Sequence, residues 1–89
     1  MNINDILSEE SILVDFNASS KKHVLDALSK LAEREIKVSH KTILDNLIKR
    51  EKLGSTAVGN GVAIPHTTES SLDKPKGFLA ILSSGLEFN

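Results

Sequence analysis

The 89-residue chain has no cysteine, no tryptophan and no tyrosine. Without cysteine there can be no disulfide and no thiolate metal site, which fits a reducing compartment. Excess charge of either sign is also missing: 11 Lys and Arg stand against 12 Asp and Glu, a formal net charge of −1. With no basic cluster, nucleic acid is not an expected partner. No apolar run is long enough to span a bilayer, so membrane insertion is not expected, and the N-terminus lacks the charged-then-apolar plan of a signal peptide. The cytoplasm is the expected location. The three histidines, His23, His40 and His66, are too scattered for metal-ligand spacing, and no HExxH pattern occurs. No Gly-Lys-Ser/Thr follows the glycines, and no serine sits in a nucleophile elbow. Neither a metal nor a cofactor is expected.

What is present is ordinary for a globular chain, with 39% hydrophobic and 26% charged residues. The length allows one small domain with a thin stability margin. Residues 1–11 read as an irregular or briefly helical lead-in with Ile3, Ile6 and Leu7 as apolar contacts. In residues 11–16, Ile12, Val14 and Phe16 alternate with Ser11, Leu13 and Asp15, which predicts a half-buried strand. Ser20 is the expected N-cap of a first helix over 21–34. Val24, Leu25, Leu28, Leu31 and Ala32 form its apolar stripe, with Lys22, Asp26, Ser29, Lys30 and Glu33 outside it. Ile36 and Val38 hold the connection. Ser39 is a second N-cap candidate, and Ile43, Leu44, Leu47 and Ile48 predict a second amphipathic helix ending near Leu53. Lys49, Arg50 and Lys52 fall in its last turn, where cations oppose the negative helix end, and Gly54 suits the position beyond it. His23 and His40 read as surface residues of these helices.

Residues 54–61 form a loop or hairpin, and Val62, Ala63 and Ile64 a short strand. Pro65 has no N–H and keeps Ile64 extended, so the ladder is expected to stop there. Residues 67–76 are polar and read as exposed. Residues 77–82 are apolar on both alternating faces, the mark of a strand covered on both sides in a complete domain, although residues 83–89 are expected to leave it uncovered.

His66, delivered by Pro65 after a short strand, is the candidate nucleophile. On spacing alone a loop histidine with no special task is the commoner case. A neutral imidazole is nonetheless a natural phosphoryl acceptor, provided one ring nitrogen is free and the other is held by a hydrogen bond. Arg50 reads as a cation at a helix end or as a clamp on phosphate oxygens, and the two readings are compatible. Gly54, Gly59 and Gly61 could bring backbone N–H groups to a phosphate or serve turns alone. Ser55 and Thr56 could donate to the same phosphate or complete a turn.

The stretch Arg50-Glu51-Lys52-Leu53-Gly54-Ser55-Thr56-Ala57-Val58-Gly59-Asn60-Gly61-Val62-Ala63-Ile64-Pro65-His66 resembles the signature of the fructose/mannitol-type (type-2) enzyme IIA domains of the bacterial phosphotransferase system. Within that family it is most similar to the nitrogen-regulatory IIA proteins, and the flanking segments agree over nearly the whole chain. The resemblance implies an α/β sandwich, a mixed central sheet flanked by helices. It implies that His66 takes a phosphoryl group from a histidine phosphocarrier protein and that Arg50 stabilises the phosphate. It also implies regulatory targets such as potassium transport or sensor proteins, in place of a sugar.

Two departures bear on this reading. Thr67 stands where the family has a small residue, and its branch could crowd the imidazole. The family domain also continues past the length of this chain and supplies a second active-site histidine that has no counterpart here. Residues 1–89 are therefore expected to be the N-terminal portion of a single truncated IIA domain, able to self-associate through an exposed sheet edge. Two other readings remain open: a regulatory binding module that no longer turns over phosphate, and a piece of a sugar-specific IIA component.

Overall fold

The computed structural model describes residues 5–70, 72 and 75–88. The expected contact of Ile3 lies outside those residues. A 3-10 turn, Glu9–Ser11, leads into β1 (Ile12–Phe16). Helices α1 (Lys21–Ile36) and α2 (His40–Lys52) follow, then the short strands β2 (Ala57–Gly59) and β3 (Val62–Ala63), and finally β4 (Leu79–Leu82). The fold is α/β, as the sequence predicts. Its mixture of strand orientations is divided between two sheets among the described residues: β1 and β4 pair in parallel, β2 and β3 antiparallel.

The two helices build the core. Leu25 and Ala32 of α1 pack with Ile43 and Leu47 of α2, and Ile36, Val38, Leu44, Ile48, Phe78 and Phe88 close over them half-buried. Each buried leucine contributes about 1.5–3 kcal/mol relative to an exposed one. Ser29 departs from the sequence reading. It is fully buried, not outside the stripe, because its hydroxyl donates to the Leu25 carbonyl at 2.8 Å and leaves no polar atom unmet.

Ser20 caps α1 as expected, its hydroxyl accepting the His23 N–H at 3.1 Å. Ser39 holds the N-cap position of α2, but its side chain makes no cap bond. That task falls to Glu33 near the end of α1, whose carboxylate accepts the His40 N–H at 2.9 Å and meets the His40 Nδ1 at 3.2 Å. One side chain thus joins the C-terminal turn of α1 to the first residue of α2.

Strand β1 does not alternate as predicted. Ile12 faces Leu79 and Leu13 faces Ala80, but Phe16 faces Leu82, so three steps on β1 match two on β4. The extra residue is accommodated by a bulge in which Asp15 adopts φ 58°. Leu13 and Phe16 are therefore both half-buried, while Val14, expected inside, is 69% exposed. Strand β4 pairs with β1 alone among the described residues, and its Leu79 and Ile81 are exposed. The lead-in crosses just before β4, where Gly77 donates its N–H to the Ile6 carbonyl at 3.0 Å. A Cβ there would come within 2.7 Å of the Ile6 side chain, so only glycine permits that approach.

The joint between the helices has a pH signature. Bonds from the His40 backbone N–H and ring, aided by the His40 charge, hold the Glu33 carboxyl below its ordinary value despite some desolvation. A carboxylate with a depressed pKa stabilises the fold above the ordinary carboxylate range, and the contribution is lost as pH falls through the depressed value. Glu33→Ala is therefore expected to lower the melting temperature at pH 7, with the gap from the parent protein narrowing below the carboxylate range. Thermal circular dichroism across pH checks this; a gap unchanged by acid would assign the joint to packing alone.

Candidate functional site

Four backbone features bring Arg50 and His66 together. Arg50 lies in the last turn of α2, and the chain leaves that helix through two bonds, Leu53 N–H to the Arg50 carbonyl and Gly54 N–H to the Glu51 carbonyl, both 3.1 Å. The hairpin β2–β3 then reverses at Asn60 and Gly61, whose φ values of 56° and 75° are the consecutive positive pair that a tight type I′ turn requires. After β3, the Ile64 N–H donates to the Thr56 carbonyl at 3.0 Å as the last bond of the ladder. Pro65 cannot continue it, and His66 emerges beside the end of α2.

The imidazole is held at both nitrogens. Nδ1 lies 2.8 Å from the Ile64 carbonyl, and Arg50 Nε donates to Nε2 at 3.4 Å. A carbonyl can only accept and an arginine N–H can only donate. Both contacts therefore select the same neutral tautomer, with the proton on Nδ1 and a lone pair on Nε2. The guanidinium is held in turn by the Gly54 carbonyl, 2.9 Å from Nη1. Arg50 has no carboxylate partner among the described residues. Among those residues its charge is unpaired, and it lies beside the exposed His66 imidazole.

The neighbouring loop residues divide by role. Gly54 supplies the carbonyl that orients Arg50. The Ser55 hydroxyl accepts the Ala57 N–H at 3.1 Å and lies 3.4 Å from the Phe88 carbonyl, so it completes a turn. Thr56 is 5% exposed, and its hydroxyl and N–H both donate to the Glu51 carboxylate, the N–H at 3.2 Å. Gly61 serves the hairpin turn. Thr67 is exposed and leaves both bonds to the imidazole in place. His23 and His40 are engaged elsewhere: the His23 Nδ1 accepts the Ser19 N–H at 3.0 Å, and His40 pairs with Glu33. Among the described residues no group of three or more His, Asp or Glu is placed to hold a metal. Nor is any helix long and apolar enough to cross a membrane. A groove of about 870 Å3 opens between the hairpin and β4, bordered by Val62, Pro65, Phe78 and Leu86, but neither Arg50 nor His66 lines it. His66 is exposed and Arg50 half-buried beside it.

One participant was not singled out from the sequence. Glu51 follows Arg50 in the last turn of α2, where a negative charge is disfavoured by the helix dipole. Its side chain is only 6% exposed and pairs with Lys21 Nζ at 2.7 Å. Burial alone would push its carboxyl up; the bonds from Lys21 and Thr56 and the Lys21 charge outweigh that and hold it below the ordinary value. A carboxylate at the wrong end of a helix was the available signal.

The sequence profile of the family described as "Phosphoenolpyruvate-dependent sugar phosphotransferase system, EIIA 2" matches residues 5–89. The chain belongs to this family. Among its type-2 IIA relatives, the nitrogen regulatory protein of Pseudomonas aeruginosa is 39% identical over 88 residues, which make up 98% of this chain and 57% of that protein. The nitrogen regulatory protein of Bradyrhizobium diazoefficiens is likewise 39% identical over 88 residues, 99% of this chain and 58% of that protein. The crystal structure of the nitrogen regulatory protein IIA-Ntr from Neisseria meningitidis superimposes with a TM-score of 0.86 at 35% identity, covering 97% of this chain and 59% of that one. The chain thus spans under three fifths of the length of these type-2 IIA relatives.

The tautomer is directly observable. Imidazole 15N spectra are expected to show His66 Nδ1 as the protonated nitrogen and Nε2 as the lone-pair nitrogen. The opposite assignment would show that the Ile64 carbonyl does not hold the ring.

Proposed function

We propose that His66 Nε2 is the phosphoacceptor of a nitrogen-branch regulatory IIA protein, charged by a phosphorylated histidine phosphocarrier protein. The observation that carries this reading is the paired restraint on the imidazole, Ile64 carbonyl on Nδ1 and Arg50 on Nε2, which places the ring's one lone pair on Nε2 against a cation. The nitrogen regulatory names of the relatives support the choice of branch.

The step balances simply. The Nε2 lone pair attacks phosphorus, the nitrogen–phosphorus bond of the donor breaks, and the donor imidazole leaves with the electron pair. The Nδ1 proton stays on His66, bonded to the Ile64 carbonyl. Arg50 leaves Nε2 and turns its N–H groups to the phosphoryl oxygens, where a planar guanidinium suits the loose transition state. Residues 1–89 are, on this reading, the N-terminal portion of one IIA domain, and Gly54, Ser55, Thr56 and Gly61 form the loop beside the phosphate. Potassium transport and sensor proteins are the proposed regulatory targets; bacterial two-hybrid pairing with such proteins is expected to depend on the state of His66, and pairing indifferent to it would remove them.

With phosphoenolpyruvate and the carrier proteins of the phosphotransferase system, the full protein is expected to acquire acid-labile label on His66. Label undiminished in His66→Ala would overturn the assignment. Arg50→Lys keeps the charge but loses the planar donors, and a roughly tenfold slower transfer is expected, equivalent to about 1.4 kcal/mol. Wild-type kinetics in that variant would return Arg50 to the part of a helix-end cation.

Self-association through the sheet edge belongs to the same proposal and is supported by the single-sided pairing of β4. Sedimentation velocity is expected to give a coefficient that rises with concentration, whereas a constant monomer value would exclude it.

A further inference from the structure

Arg50 and His66 are placed by backbone that something else must hold. Each of their restraints ends on a carbonyl of the segment that follows α2: Gly54 for the guanidinium, Ile64 for the imidazole. Ile64 is itself tied by its N–H to the carbonyl of Thr56. Thr56 therefore stands at the branch point. Two residues before it along the chain lies the carbonyl that grips Arg50, and across the hairpin lies the residue whose carbonyl grips His66.

The Thr56 backbone and side chain are in turn anchored to one group. Its N–H and hydroxyl donate to the two different oxygens of the Glu51 carboxylate, a two-point attachment that fixes both position and orientation. Glu51 is kept ionised and in place by Lys21 from the first turn of α1, whose ammonium also lies 4.7 Å from the centre of the Phe88 ring. Without Lys21 and Thr56 this carboxylate would be a buried charge at the disfavoured end of a helix. A buried ion pair of this kind is weak evidence of stability for its own sake. Its placement beneath the reactive pair calls for another account.

We propose that Glu51, acting through Thr56, is a positioning residue for the Arg50–His66 pair. It touches neither ring nitrogen nor any incoming phosphoryl group. It holds the Gly54 and Ile64 carbonyls at the spacing that keeps the proton on His66 Nδ1 and the guanidinium against Nε2. The adjacency of Arg50 and Glu51 acquires a reason here: the carboxylate nearest in sequence to the arginine is taken up by Lys21 and Thr56, so it cannot neutralise the guanidinium. The claim rests on the phosphoacceptor reading of His66 for its consequence in rate, but its geometric part does not.

The test uses the full-length protein, labelled phosphoenolpyruvate with the phosphocarrier proteins as the probe, and imidazole 15N spectra recorded without phosphate. Glu51→Gln offers one acceptor oxygen where the carboxylate offers two, so one Thr56 donor is lost. Thr56→Val keeps the shape of the side chain and removes the hydroxyl; Thr56→Ser keeps the hydroxyl. Labelling of His66 is expected to slow about ten- to hundredfold in Glu51→Gln and Thr56→Val, the scale of a slightly misplaced reacting group. The His66 nitrogen signals of both are expected to shift toward a mixture of tautomers, and Thr56→Ser is expected to recover most of what Thr56→Val loses. Should Glu51→Gln fail to fold, the valine and serine variants decide alone. If Thr56→Val is labelled at the parent rate with an unchanged imidazole spectrum, whatever its melting temperature, Glu51 and Thr56 are structural and the proposal falls. Label found away from His66 in the parent protein would refute the phosphoacceptor reading instead, and the phosphate-free spectra would still decide the positioning claim.

Discussion

A carboxylate placed where helix electrostatics disfavour it organises the end of the molecule that carries Arg50 and His66. Glu51 sits in the last turn of α2, largely enclosed, and needs both a cation and hydrogen-bond donors to remain ionised there. Lys21 arrives from the first turn of α1 and Thr56 from the loop beyond α2. Satisfying one buried charge thus ties the start of one helix to the end of the next and to the hairpin entry that follows it. The apolar core between Leu25, Ala32, Ile43 and Leu47 brings the helices together without specifying how their ends align with the loop. Alignment at that level takes directional bonds, which non-directional burial does not supply.

Much of the architecture could be read from the sequence because it depends on local patterns. The stripes of α1 and α2, the Ser20 cap, the end of α2 near Leu53 and the halt of β3 at Pro65 all follow from spacing and side-chain chemistry within a few residues. Other features are not encoded by such patterns. Strict alternation sends Val14 inward by assuming a regular ladder, and the irregular register between Leu13 and Phe16 that breaks it exists only through pairing with β4. Polarity alone places Ser29 outside the stripe, yet its hydroxyl is satisfied by its own helix. Glu33 took the capping task from Ser39 because the turn between the helices is short enough for a side chain to reach across it.

The candidate site shows the same division. His66 and Arg50 stood out by type and by their setting, one after a proline and the other at a helix end. Their mutual contact at 3.4 Å depends on the hairpin folding back, and no periodicity encodes that. Thr56 was legible only as a polar loop residue. Its burial and its two bonds to Glu51 turn the hydroxyl away from solvent and into the scaffold, a role a single sequence does not distinguish from surface donation.

The contact between Arg50 and Nε2 has a consequence for chemical selectivity. An imidazole nitrogen has one lone pair, and in the resting protein the arginine N–H already occupies it. Any electrophile must first draw the guanidinium aside. A group carrying negative charge does so by offering the arginine a stronger partner than a neutral nitrogen. An uncharged alkylating or acylating agent brings no such attraction and meets a nucleophile that is engaged. On the proposed phosphoacceptor reading the arginine is therefore a latch as well as a clamp, released by the charge of the incoming phosphoryl group.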